Sequence, residues 1–363
     1  MKQLLLLGAG HAHAQVLKDW AAAPVPGVQL TLVSPSALAP YSGMVPGWLA
    51  GTYSFEEICI DFRALAVAAG AQLRIDEVVA IDADARCVQL ASGQRCPWDL
   101  LSLNVGSTLV APTGLAATVL ALRPLGRLHS AWTTLLQQQA GQTTALRVTA
   151  VGGGAAGVES LLAALARLRA LQPGRPISGR LWTRGALLPG VAPGAVRAAQ
   201  HALQAAGVAV HTGTPFDPAL AGENELLLWA TGAQAHKWQH SSGLATSEDG
   251  FFKVDEHLQS TSHPGVFAVG DCAQWAPPLP KAGVYAVRMG PVLAHNLRAA
   301  LSGAPLHRYT PQHRYLALLA TADGRAIAAR GPWSLHGRTL GRWAWRWKDH
   351  IDRGFLARFK PAG

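Results

Sequence analysis

The chain has four cysteines in 363 residues, Cys59, Cys87, Cys96 and Cys272, with no CxxC pair and no metal-ligand spacing among them. They read as free thiols of a reducing compartment. No uninterrupted apolar run reaches the roughly 18 residues of a membrane-spanning helix, and Met1-Lys2-Gln3 leads straight into an apolar strand, leaving no room for a signal peptide. A cytoplasmic protein is the expectation. Charged residues are also scarce, at 14% against 49% hydrophobic, which excludes a disordered chain and indicates large buried faces. Acidic side chains are the scarcer sign: 21 against 31 basic ones give a net charge of +10. That surplus suits anionic ligands, a membrane surface or nucleic acid. Because arginines cluster only at the C-terminus, nucleic acid is the weakest of the three and is not expected as a partner. The pair His11 and His13 points apart on a helix with no ligands nearby, so no metal is expected.

What the chain does have is a repeated glycine-rich turn. Leu4 to Leu7 reads as a buried strand that stops at Gly8-Ala9-Gly10. Gly8 permits a tight turn, and Gly10 has no side chain to hold a pyrophosphate away from the backbone. An anion there would meet free amides at the positive end of the helix His11 to Trp20. Val28 to Val33 completes a βαβ unit whose second strand ends at Ser34, where such units usually carry an acidic residue for the ribose. The turn is then repeated: Leu146 to Val151 leads into Gly152-Gly153-Gly154-Ala155-Ala156-Gly157-Val158-Glu159, a full GxGxxG before a helix to Leu171. Strand-closing glycines follow in both copies, Gly106-Ser107 in the first and Gly232 in the second. Val266 to Val269 then ends in Gly270-Asp271, and Lys281-Ala282-Gly283 opens another helix.

This combination resembles the two-dinucleotide flavoprotein superfamily of pyridine nucleotide-disulfide oxidoreductases along nearly the whole chain. More narrowly it is similar to type II NADH dehydrogenases. The segments Tyr41-Ser42-Gly43-Met44-Val45-Pro46-Gly47, Pro280 to Arg288 and Trp345 to Arg353 resemble the flavoprotein associated with, or fused to, selenide, water dikinase, and the dikinase half is absent. The implied fold is α/β, with two Rossmann-like, three-layer dinucleotide-binding domains, the second inserted in the first. The implied division is 1–110 and 237–305 for FAD, 111–236 for NAD(P)H, and a C-terminal α+β segment over 306–363.

Carried over onto this chain, the resemblance gives FAD the turn residues Gly8, Gly10, His11 and Ala12, together with Ser34, Ser42 and Val79. From later segments it adds Gly106, Ser107, Gly270, Asp271 for the ribityl hydroxyls, Lys281, Ala282 and Gly283. The nicotinamide dinucleotide takes Gly152, Gly153, Gly154, Ala155, Gly157, Glu159, Arg184 and Gly232. Arg184 would suit a 2′-phosphate, whereas the family suggests NADH, and both NADH and NADPH stay open. Catalytic candidates are Lys281, Tyr41 and Glu159. Backbone amides at Lys281 to Gly283 would face the pyrimidine edge of the flavin, the alternative being an ordinary helix start with a solvated lysine. Glu159 either reaches the nicotinamide or sits on the surface in the first helical turn.

In the disulfide reductases a cysteine pair lies where Tyr41 to Gly47 lies here, and the only sulfur in this segment is that of Met44. The resemblance therefore implies hydride transfer from NAD(P)H to FAD and direct delivery to a quinone or another small acceptor, without a thiol relay. The alternative is a flavin-binding redox sensor or partner protein with little turnover, linked to selenium metabolism. Trp343, Trp347 and Ile351 make an apolar stripe at four-residue spacing beside Arg342, Arg346 and Lys348. The segment 341–360 either lies on the inner face of a membrane or packs its tryptophans on the flavin domain. Pairing of two chains as a homodimer is left open.

Overall fold

The structure is a computed structural model that describes residues 1–312 and 314–360. Its helices are α1 (His11–Ala22), α2 (Val45–Leu49), α3 (Phe62–Ala68), α4 (Leu125–Gln139), α5 (Ala155–Leu171), α6 (Pro193–Ala205), α7 (Lys237–His240), α8 (Gly283–Ser302) and α9 (Arg338–Ala357).

Two five-stranded parallel sheets organise the chain. The first runs Val266–Ala268, Leu100–Leu103, Lys2–Leu7, Val28–Ser34, Gln72–Ile75. The second runs Thr118–Ala121, Glu225–Trp229, Leu146–Val151, Ile177–Thr183, Val208–Thr212. In each, the strand before the glycine turn is central. Such strands are covered on both faces, which is why Leu4 to Leu7 and Leu226 to Leu228 read as unbroken apolar runs and are nearly inaccessible. All of the second sheet lies in sequence between two strands of the first, as expected of one dinucleotide fold inserted in another.

The two chain crossovers between the sheets meet. Thr108 and Gln234 exchange both backbone hydrogen bonds at 2.8 Å, and the ring of His236 donates to the Val105 carbonyl at 3.3 Å. Gly106 and Gly232 therefore flank one junction between the two sheets.

The C-terminal part adds a three-stranded antiparallel sheet, Ala317–Ala320, Ala326–Arg330 and Trp333–Leu335, against which α9 packs. The inward side of α9 is Gly341, Ala344, Lys348, Asp352, Phe355 and Leu356. Trp343 is 55% exposed and Ile351 38%, whereas Trp347 is half-buried against the cluster of Ala326, Ala328 and Ala344. Trp345, off the stripe, stacks on Tyr53 at 6.3 Å. Among the described residues no helix is long and apolar enough to cross a membrane.

Candidate functional site

The first turn is held from beneath. Gly8 has φ +94°, a conformation that costs a residue with a Cβ more than it costs glycine. A Cβ there would also lie 2.5 Å from the Asn104 carbonyl oxygen, and one on Gly10 would lie 2.0 Å from the Asn104 side-chain oxygen. Asn104 accepts from the Ala12 N–H at 3.2 Å and donates to the Val269 carbonyl at 3.0 Å, tying the turn to the strand before Gly270. His13, in the position of the third glycine, is fully buried. Its Nδ1–H donates to the Gly8 carbonyl at 2.7 Å, and its Nε2 accepts from the Ser102 hydroxyl at 2.8 Å. Burial lowers its pKa to about 4, so the ring is a neutral brace. The missing third glycine is thereby explained: an imidazole does the joining.

In the second turn a Cβ on Gly157 would lie 1.9 Å from the Gly152 carbonyl oxygen, so the third glycine is obligatory for close helix–strand packing. Gly154 is the N-cap of α5 and Gly10 that of α1, neither with a side-chain hydrogen bond of its own, and apart from the Ala12 N–H, which Asn104 takes, the first-turn amides of both helices can meet an anion. Arg184 lies exposed just past the strand Ile177–Thr183.

Asp271 does not stand alone. Arg123 pairs with its carboxylate and also bonds the Ser107 hydroxyl, and it reaches the Lys281 carbonyl at 3.4 Å. Ser107 lies 3.3 Å from Asp271. Arg123 was not foreseen. It sits in the connection to α4, far from any glycine motif, and a lone arginine carries no sequence signal. Lys281 is half-buried. Its ammonium donates to the Ala273 carbonyl at 2.5 Å and lies 3.7 Å over the Phe251 ring, and burial lowers its pKa. Ser42 packs on Gly283 at the start of α8: a Cβ on Gly283 would be 2.7 Å from its hydroxyl oxygen.

Tyr41 lies between α1 and α9, its ring centroid 5.4 Å from that of His11 and 4.6 Å from that of Phe355. Burial lowers the His11 pKa to about 4, against a smaller upward pull from Asp271. Glu159 is not a surface residue. Only 9% exposed, it accepts from the Ala320 N–H at 2.7 Å. Burial raises its pKa to about 7, opposed by the Lys348 ammonium. It lines a cavity of about 80 Å³ with Thr52 and Trp345. Lys348 and Asp352, buried on α9, are further charged neighbours that the apolar stripe concealed.

Two assignments lie apart from this cluster. Ser34 is buried, its carbonyl accepting from Asp76 N–H at 3.0 Å, and Val79 lies exposed on the antiparallel strand that follows. Of the thiols, Cys59 pairs with Pro40, next to Tyr41, but all four cysteines are free, and burial pushes Cys59 to about 12 and Cys272 to about 11.

The sequence profile of the pyridine nucleotide-disulphide oxidoreductases matches residues 2–296. Ferroptosis suppressor protein 1 of Xenopus tropicalis is 38% identical over 89 residues, 24% of this chain and 23% of that protein. The likeness thus spans about a quarter of that relative's length. Among solved structures, the sulfide:quinone oxidoreductase of the hyperthermophilic bacterium Aquifex aeolicus superposes with a TM-score of 0.78 at 16% identity, covering 99% of this chain and 91% of that one. NDH2 from Plasmodium falciparum, in complex with NADH, gives 0.76 at 14% identity, covering 99% and 97%. At such identities these two show a shared fold.

Proposed function

The chain belongs to the pyridine nucleotide-disulphide oxidoreductase family, and from that premise we propose that it is an FAD-dependent NAD(P)H dehydrogenase passing electrons to a quinone-class acceptor without a redox disulfide. The observation that carries this reading is the composition of the loop facing the first turn: Tyr41 to Gly47 offers a phenol and a buried thioether, and no two cysteines are bonded.

FAD is the cofactor, with NADH or NADPH as reductant. The residues fit both. Each turn is bare where a Cβ would strike backbone or the Asn104 amide, and each leads to a helix start without a side-chain cap. In this reading Gly8, Gly10, His11 and Ala12 hold the FAD pyrophosphate, and Asp271 with Ser107 binds its ribityl hydroxyls. Arg123 supplies a cation beside them. Gly152 to Gly157 and Arg184 hold the nicotinamide dinucleotide, with Glu159 beside its reactive end. When bound, FAD supplies the exchange of two electrons between reductant and acceptor. The protein's share is orientation and charge: helix starts at Gly10 and Gly283 favour negative charge, while the walls Tyr41, Phe355 and Met44 exclude water.

The acceptor is the finer part of the proposal. One structural neighbour is a sulfide:quinone oxidoreductase, and the outer face of α9 supports a reading in which this chain reaches lipid. Trp343 and Ile351 stand out with Arg342 and Arg346 beside them, and Trp333 is 79% exposed nearby on the adjoining sheet. Aromatic side chains flanked by arginines suit an anionic membrane surface, where a lipid-dissolved quinone resides.

The test is anaerobic addition of NADH and NADPH in turn to the flavin-loaded protein. Bleaching of the flavin absorbance within minutes by at least one is expected. Absence of bleaching with both sinks the reading. A steady-state screen of ubiquinone analogues, menadione, ferricyanide and selenium species then ranks acceptors.

A further inference from the structure

Helix α9 turns two charged side chains inward. Lys348 and Asp352, one turn apart and each 5% exposed, pair at 2.5 Å on the side that covers the Tyr41 loop. The Lys348 ammonium also donates to the Gly43 carbonyl, and Gly43 lies against the Tyr41 hydroxyl, from which a Cβ on that glycine would be 3.1 Å. Glu159 from α5 and Asp349 from α9 are the other charged groups around this pair. Burying two ions costs the hydration of both, and apolar side chains of similar volume usually fill such a place with no loss of stability. This helix carries Trp343 and Ile351 on its outside, so apolar side chains were available to it. Stability does not account for the choice.

Tyr41 stands where three elements meet. Its ring lies against His11 at the start of α1 and Phe355 of α9, and its neighbour Ser42 lies against Gly283 at the start of α8. A ligand spanning the starts of α1 and α8 would pass the Tyr41-Ser42 turn.

We propose that Tyr41 hands a proton to the acceptor as it is reduced, and that Lys348 and Asp352 position and recharge that hydroxyl. The proposal rests on the reading of the chain as an NAD(P)H dehydrogenase with a quinone-class acceptor. The balance of the reaction calls for such a group. NAD(P)H gives up a hydride, which is two electrons and one proton, while a quinone taken to its hydroquinone gains two electrons and two protons. The second proton comes from solvent. The Tyr41 O–H bond breaks as an O–H bond forms on the acceptor oxygen. The phenolate recovers a proton across Asp352 from the Lys348 ammonium, and Lys348 takes one from water. The cavity of about 80 Å³ lined by Glu159, Gly47 and Trp345 has room for water.

The experiment compares flavin-loaded wild type, Tyr41→Phe, Asp352→Asn, Lys348→Met and Lys348→Arg with two acceptors: menadione, which takes up protons, and ferricyanide, which takes electrons alone. The ratio of menadione to ferricyanide turnover is expected to fall at least ten-fold in Tyr41→Phe and Asp352→Asn, and to fall less in Lys348→Arg than in Lys348→Met. An equal loss with both acceptors, or none, overturns the proposal. Should Asp352→Asn fail to fold, Tyr41→Phe decides, since it removes one oxygen. A readout without turnover is the melting temperature of the loaded protein with no reductant present. Burial holds the folded Asp352 pKa above its ordinary value against the pull of Lys348, so wild type gains stability relative to Asp352→Asn as pH falls through the carboxylate range, and a difference constant with pH overturns a titrating Asp352 in that pair. Flavin bleaching in the wild type separates the two levels. Without it the dehydrogenase reading fails and takes the proton transfer with it, whereas bleaching with an unchanged acceptor ratio overturns the proton transfer alone.

Discussion

The side-chain amide of Asn104 occupies the space next to Gly10: a methyl group on Gly10 would sit 2.0 Å from its oxygen. The same amide joins Ala12 to Val269, so one residue at the end of a strand fixes both the opening turn and the approach to Gly270. Gly10→Ala is expected to abolish flavin retention through purification, read as the ratio of absorbance at 450 nm to that at 280 nm. The Gly10→Ala, Asn104→Gly double variant restores part of it. Asn104→Ala alone leaves a buried N–H and carbonyl without partners and lowers stability by about 1–3 kcal/mol, measured by urea unfolding.

Arg123 and Asp271 neutralise one another at the edge of the flavin-side cluster. Arg123→Ala leaves a mostly buried carboxylate without its cation. The expected result is weaker flavin binding by ten-fold or more, in a titration of the stripped protein with FAD. Unaltered affinity would mean that Arg123 serves only the fold.

Glu159 gives the protein a pH dependence with a definite sign. Burial raises its folded pKa to about 7 from 4.5, so between those values the folded state holds a proton that the unfolded state releases. Its contribution, on the order of 3 kcal/mol, is fully present below pH 4.5 and is lost as pH rises through 7. Glu159→Gln flattens the stability profile across that window, measured by denaturant unfolding at several pH values.

The glycine turns and the Gly270-Asp271 pair were legible in the sequence because backbone geometry leaves few alternatives there: at Gly8 and Gly157 any larger residue collides with main chain. Arg123, Asn104 and Asp352 were not legible. Each gains its role from a partner over 90 residues away in sequence or, for Asp352, from the face of a helix that the apolar period appeared to assign to solvent. The four-residue spacing of Trp343, Trp347 and Ile351 is real, but periodicity states which side chains share a face and not which way that face points. Glu159 was left between two settings by its sequence, and the Ala320 amide from the C-terminal sheet decides for the interior.

The outward stripe makes its own prediction. Trp343→Glu combined with Ile351→Glu is expected to abolish sedimentation with anionic liposomes while flavin content and melting temperature stay within error of wild type. Equal pelleting of both proteins would remove lipid contact from the functional proposal.

Thiols play no part in the expected chemistry. Cys272 is buried, with its pKa raised to about 11, and Cys59 is raised to about 12, so neither is a thiolate at neutral pH. Iodoacetamide treatment at pH 7.5 therefore leaves the NAD(P)H-dependent rate unchanged, as followed at 340 nm. Inactivation with protection by a substrate would reopen a sulfur route.

Because α9 shows charge to the interior and tryptophan to the exterior, its two sides answer to different constraints. On the proposed reading, replacements on the outer side bear on surface contact and those on the inner side on Tyr41. If that reading holds, sequence drift on one side of the helix leaves the other side's work untouched.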